Sequence, residues 1–151
     1  PPGEFLSSYE LIQRSKFVLI YNSTIGLEAS ILGAAVLCAG KARFTQYPTV
    51  FFPTSIPKYR ATLEQFLAAD KIDVPDNFRR HSRRFLYYQL FRTSLPFGNF
   101  LERGILPVNA RLKMFQPEQL LAAPAIQTVS KGLLEDGDFL LEETGSGSVK
   151  K

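Results

Sequence analysis

The stretch Phe17-Val18-Leu19-Ile20-Tyr21-Asn22-Ser23-Thr24-Ile25-Gly26-Leu27-Glu28-Ala29-Ser30-Ile31-Leu32-Gly33-Ala34-Ala35-Val36-Leu37-Cys38-Ala39-Gly40 decides the fold class of this chain. It has about the length that crosses a bilayer, roughly 20 residues, and a single charge. The cluster Asn22-Ser23-Thr24 and the following Glu28 argue against a span, because polar groups there would have no partners in lipid. The better division is strand, helix, strand. Phe17 to Tyr21 is a continuous apolar run of strand length, of the kind a parallel sheet buries on both faces. Ser23 or Thr24 is in position to cap a helix that runs to about Leu32 and stops at Gly33. Ala35 to Ala39 is then the second strand of a compact βαβ unit.

Outward from that unit, Ser7-Ser8-Tyr9-Glu10-Leu11-Ile12 reads as a short helix feeding the first strand, with Ser7 and Glu10 at capping-box spacing. Lys41 to Pro57 carries three prolines and reads as an irregular loop, with Thr49-Val50-Phe51-Phe52 a short edge strand within it. Pro57 to Asp70 is a helical pattern presenting Leu63, Phe66 and Leu67 on one face. Pro75 opens a longer pattern through Phe78, Phe85, Tyr88 and Leu95, stopped by Pro96. Pro117 to Ala122 and Ala125 to Leu134 pass as short helices. Thr144 to Lys151 reads as a flexible tail. No internal repeat is evident.

Composition bounds the rest. At 151 residues with 45% hydrophobic and 21% charged residues, the chain suits one ordinary globular domain, expected over residues 1–143, and excludes general disorder. A net charge of +4 is a mild excess that favours anionic ligands without resembling a polycationic tail, and nucleic acid is not an expected partner. One cysteine, Cys38, excludes an intramolecular disulfide framework, and with one histidine, His81, no Cys/His zinc cluster is expected. The expected compartment is the cytoplasm. Pro1-Pro2-Gly3-Glu4 does not open a signal peptide, and the chain reads as a piece cut from a longer polypeptide.

The candidate binding residues cluster at the first strand-to-helix junction. In parallel α/β sheets, ligands lie beyond the carboxyl ends of the strands, where helix N-termini offer backbone N–H groups and partial positive charge to phosphate. Ser23 and Thr24 would add hydroxyls there, and Gly26 would permit close approach of a ligand or a neighbouring backbone. Glu28, one turn on, has a carboxylate suited to sugar hydroxyls. Lys41 and Arg43, after the second strand, would lie on the same edge as phosphate partners. The same residues also read as ordinary caps and solvated charges, since Ser and Thr cap many helices and Glu suits any first turn. Tyr21 reads either as a stacking residue or as packing at the sheet edge, packing being favoured. Arg79-Arg80-His81-Ser82-Arg83-Arg84 makes two like-charge i,i+4 pairs, a mild frustration that suits a solvated face, an interdomain contact or an anion.

The segment Tyr21 to Val36, extended through Ala39-Gly40-Lys41, resembles the donor-binding half of GT-B glycosyltransferases. It is more closely similar to the capsule polysaccharide biosynthesis proteins, with a Ser-Thr-x-Gly-x-Glu turn and helix followed by Gly-x-Pro-Val and a strand. Ser7 to Ile12, and Phe85 to Leu90 with Ser94-Leu95-Pro96-Phe97, also resemble that family. The likeness is scattered over about residues 5–102 and is strongest over 21–40. It departs at Ala35, where the family usually has proline, and at Lys41-Ala42-Arg43-Phe44-Thr45, where relatives often have His or Tyr followed by Arg and Gly.

The resemblance implies an α/β fold: a Rossmann-like parallel sheet of few strands with flanking helices, forming part of the C-terminal half of a GT-B fold. It implies a nucleotide-sugar donor as ligand, met by Ser23 and Thr24 at the phosphate and by Glu28 at the ribose or sugar. A glycan acceptor would come through an N-terminal domain not contained in this chain. No metal or cofactor is implied, the leaving nucleotide being stabilised by helix dipole and basic residues. Further expectations are a homodimer, peripheral association with the inner face of a membrane, and no turnover by this piece alone. Two alternatives stay open: a non-catalytic Rossmann-like interaction module, and a nucleotide-sugar epimerase-like domain, since related Gly-x-x-Glu and Glu-Ala-x-x-x-Gly patterns occur there.

Overall fold

A computed structural model describes residues 6–102 and 111–141. The chain is a mixed helix and strand protein whose elements run α1 (Ser8–Arg14), β1 (Val18–Ile20), α2 (Ile25–Leu32), β2 (Val36–Cys38), α3 (Ile56–Ala68), α4 (Asp76–Phe91), α5 (Pro117–Leu121) and α6 (Pro124–Leu134), with 3₁₀ turns at Arg43–Gln46 and Gly98–Phe100. The described residues fall into two compact units, divided between Leu86 and Tyr87. No helix among them is long and apolar enough to cross a membrane. The expected tail at 144–151 lies outside the described residues.

In the first unit, β1 and β2 pair in parallel with Val18 opposite Val36, Leu19 opposite Leu37 and Ile20 opposite Cys38. The ladder runs past the strands, Ala39 N–H donating to Ile20 at 2.9 Å and Gly40 N–H to Tyr21 at 2.6 Å. Parallel strands need a crossover, and α2 supplies it in eight residues because Gly33 ends the helix at once, with φ 91°. On the far side of β2, Phe51 makes a parallel bridge to Leu37, its N–H donating to Val36 and its carbonyl accepting from Cys38, both at 2.9 Å. The expected edge strand over 49–52 is thus a single bridge, followed within two residues by Pro53.

Side chains alternate across the sheet and sort into two cores. Val36 and Cys38 pack with Ile12, Ile20, Leu27, Ala29, Phe44 and Val50 on one face. Leu37 packs with Ala35 and Phe66 of α3 on the other, where Phe17, Phe51 and Leu63 join them. Phe66 and Phe51 meet edge to face at 5.0 Å, and Phe66 and Phe17 at 5.4 Å, geometries favoured by the ring quadrupole. Helices therefore cover both faces of β2, which is buried along its whole length.

Four expectations need correction. β1 is not buried on both faces: no strand pairs with its outer edge among the described residues, and Leu19 is 51% exposed. Thr24 occupies the cap position of α2 without capping it. Its backbone is already helical, and the first-turn N–H groups of Gly26 and Leu27, which a cap would use, bond the Ser23 and Thr24 carbonyls at 3.1 and 3.0 Å instead. Ser7 does cap α1, accepting from Tyr9 N–H, but Glu10 turns forward to Arg14 at 2.5 Å, so no capping box closes. On α3, Leu67 points to solvent while Phe66 is buried.

The long fourth helix ends at Phe91, four residues before Leu95. The Thr93 and Ser94 hydroxyls both donate to the Gln89 carbonyl, at 3.1 and 2.7 Å, taking an acceptor the next turn would have used. Its middle is pinned from below. Buried Ser82 donates to Ser30 Oγ at 2.9 Å, Ser30 donates to the Thr49 carbonyl at 2.5 Å, and Thr49 Oγ1 donates to the Phe44 carbonyl at 2.8 Å. In the second unit, α5 and α6 fall where expected, and Leu101 and Leu112 form an antiparallel bridge that the sequence did not suggest.

Candidate functional site

Because β1 and β2 are parallel and in register, their carboxyl ends finish side by side, and the chain leaves both at one edge. From β1 come Tyr21, Asn22, Ser23 and Thr24, all exposed; from β2 come Ala39, Gly40, Lys41, Ala42 and Arg43. Ser23, Thr24, Lys41 and Arg43 therefore follow strand ends that finish side by side, and all four are exposed. The N–H groups of Gly26, Leu27 and Glu28 are bonded to the Ser23 and Thr24 carbonyls. Donors for a ligand at this helix start lie at or before Ile25.

Gly26 and Glu28 face elsewhere. Gly26 is buried, and a Cβ there would lie 2.1 Å from Ile20 Cδ1 and 3.4 Å from Val36 Cγ1. Its smallness lets α2 seat closely on Ile20 and Val36 of the sheet. The Glu28 carboxylate accepts the Tyr9 hydroxyl from α1. That bond and the negative charge of Glu28 push the Tyr9 phenol above its ordinary value. A sugar hydroxyl reaching Glu28 would compete with Tyr9.

Two features of the edge were not read from sequence. The Tyr21 ring lies over Gly40: a Cβ at position 40 would come within 2.9 to 3.0 Å of three ring atoms, although Tyr21 is 71% exposed. Beneath it, the Cys38 thiol sits 3.1 Å from the carbonyls of both Tyr21 and Gly40, and burial pushes its pKa up. A glycine two residues past a buried strand is the only sequence signal for the first, and nothing signals the second.

Elsewhere, Arg79, Arg80, Arg83 and Arg84 line the exposed side of α4 and form no ion pair among the described residues. His81 Nδ1 lies 3.2 Å from the Pro48 carbonyl, a structural contact. The first unit also has an open groove of about 440 Å³ along Val50, Phe52, Lys58, Thr62 and Phe78, and the second a groove of about 480 Å³ along Pro96, Asn99, Phe100, Lys113 and Gln119. Neither is lined by any of the six expected binding residues. Among the described residues no group of three or more His, Cys, Asp or Glu is placed to hold a metal.

No family model matches the chain, and neither the curated proteins nor the solved structures contain a match to it.

Proposed function

We propose that this chain is the donor-binding part of a glycosyltransferase for capsular or other surface polysaccharide, with a Rossmann-like sheet belonging to the C-terminal half of a GT-B fold. The observation that carries the reading is the parallel register of β1 and β2, which brings Ser23 and Thr24 to the same open edge as Lys41 and Arg43. Hydroxyls and cations together at the carboxyl end of a parallel sheet suit the phosphates of a nucleotide-sugar. The motif resemblance over residues 21–40 supplies the sugar-transfer context. In this reading Ser23 and Thr24 meet the diphosphate, while Lys41 and Arg43 offset charge developing on the leaving nucleotide. The acceptor and the general base come from a domain outside this chain.

Thermal unfolding with millimolar CMP, UDP, UDP-sugars or phosphate tests the reading, because a ligand that binds only the folded state stabilises it by about 2.7 kcal/mol at one hundred times its Kd. One nucleotide should raise the Tm, and Ser23→Ala and Lys41→Ala should each reduce the shift. A Tm indifferent to every nucleotide would leave the second reading, a Rossmann-like interaction module. That reading is favoured by one observation: Glu28 and Gly26, two of the motif residues, already have partners within the fold, Tyr9 and Ile20.

A further inference from the structure

From the placement of the Tyr21 ring we infer that Tyr21 and Gly40 form a stacking platform for the nucleobase of the donor, an inference that rests on the reading just given. A tyrosine at the end of an edge strand ordinarily has several rotamers open to it, and an exposed one gains little from any. Here the backbone of Tyr21 is pinned, its carbonyl accepting from Gly40 N–H at 2.6 Å. The ring is laid against the one residue in the β2 exit that has no side chain. Three atoms at its hydroxyl end, Cε1, Cζ and Cε2, lie 2.9 to 3.0 Å from where a Gly40 Cβ would stand, so any other residue would push the ring away. Tyr21 as a whole is nevertheless 71% exposed. The arrangement is an aromatic surface backed by main chain and open on its outer side.

Its neighbours give the ligand its chemistry. Ser23 and Thr24 follow two and three residues after Tyr21, and Lys41 and Arg43 one and three residues after Gly40, all exposed. A planar apolar surface next to hydroxyls and cations fits a molecule that is flat at one end and anionic at the other, which is a nucleotide. Stacking on an aromatic side chain serves any base, so Tyr21 contributes affinity, and the choice among bases falls to other groups. A base held there also extends the exposed ring into a covered one, removing apolar surface from water.

The test is calorimetric titration of the whole chain with UDP, CDP, ADP and GDP, and with two probes lacking a base, pyrophosphate and ribose 5-phosphate. At least one nucleoside diphosphate should bind about tenfold or more tightly than either base-free probe, the scale of one stacked base. Tyr21→Ala should bring the nucleotide down to the base-free affinity and leave pyrophosphate binding unchanged, and Tyr21→Phe should keep the wild-type value. Gly40→Ala, which displaces the ring without deleting it, should resemble Tyr21→Ala, its melting temperature serving to show that it folds. Nucleotide binding unaltered in Tyr21→Ala, or wild-type pyrophosphate binding as tight as the nucleotide's, would overturn the platform and leave the donor edge standing. Binding of none of the probes would overturn both.

Discussion

Replacing Gly26 with alanine tests by its sign what that glycine is for. If Gly26 only kept the helix start open for a ligand, an added methyl would meet empty space, and alanine would stabilise the helix by up to about 1 kcal/mol. The structure gives the opposite expectation. The new Cβ would fall 2.1 Å from Ile20 Cδ1 and 3.3 Å from its Cγ1, well inside contact distance, with Ile20 only 8% exposed and Leu27 and Val36 packed in the same core. Overpacking of that kind costs about 1–3 kcal/mol. Set against the propensity gain, the net effect is a loss of about 1 kcal/mol, or a urea midpoint lower by about 0.3–1 M. Ile20→Val removes the colliding Cδ1 and alone costs about 0.5–1.5 kcal/mol. In the Gly26→Ala background it should cost less, a coupling of at least about 0.5 kcal/mol. Urea unfolding of the four proteins in this cycle, followed by circular dichroism, reads both quantities. A more stable Gly26→Ala, or strictly additive variants, would refute the packing role and return Gly26 to the ligand edge.

Three further outcomes follow from particular contacts. Ser82→Ala and Ser30→Ala should each lower stability by about 1 kcal/mol, and the double variant by less than the sum, because the two hydroxyls share one chain of bonds ending on the Thr49 carbonyl; denaturation of the three variants measures this. The raised Tyr9 phenol should appear as a tyrosine ionising above the ordinary value of 10.0 in an ultraviolet pH titration, and should disappear in Tyr9→Phe and return to normal in Glu28→Gln. With the proton held more tightly in the folded state, the bond's contribution to stability is present below pH 10 and is lost as pH rises through the folded value. Buried Cys38, with its pKa pushed up, should react with a thiol reagent slowly in the native protein and rapidly in urea; fast native reaction would contradict its place beneath Tyr21 and Gly40.

What was legible in the sequence is what local rules govern. The βαβ unit follows from two short apolar runs, a helical centre and Gly33, whose left-handed backbone stops the helix where the pattern broke. The parallel ladder then necessarily carries the Ser23 and Lys41 turns to one edge. What was not legible depends on residues far apart in the chain. Leu19 lies in an apolar run, yet among the described residues no strand pairs with the outer edge of β1. Glu28 meets Tyr9 nineteen positions earlier, and Ser82 meets Ser30 fifty-two positions earlier. The fourth helix reads as continuous to Pro96 because its spacing persists, while two hydroxyls competing for one carbonyl end it sooner. Of the six expected binding residues, four sit where strand order alone puts them. The other two, Gly26 and Glu28, were claimed by partners that spacing cannot foresee.

The most direct measurement of the central claim is the amide spectrum of the ¹⁵N-labelled chain, recorded while a nucleoside diphosphate is titrated to saturation. The largest shift changes should fall on residues 21–25 and 40–43, at the carboxyl ends of β1 and β2, with the Arg79–Arg84 face and the Val50–Phe78 groove little affected. A spectrum unchanged by every nucleotide, or changes confined to that groove or to the second unit, would contradict the claim.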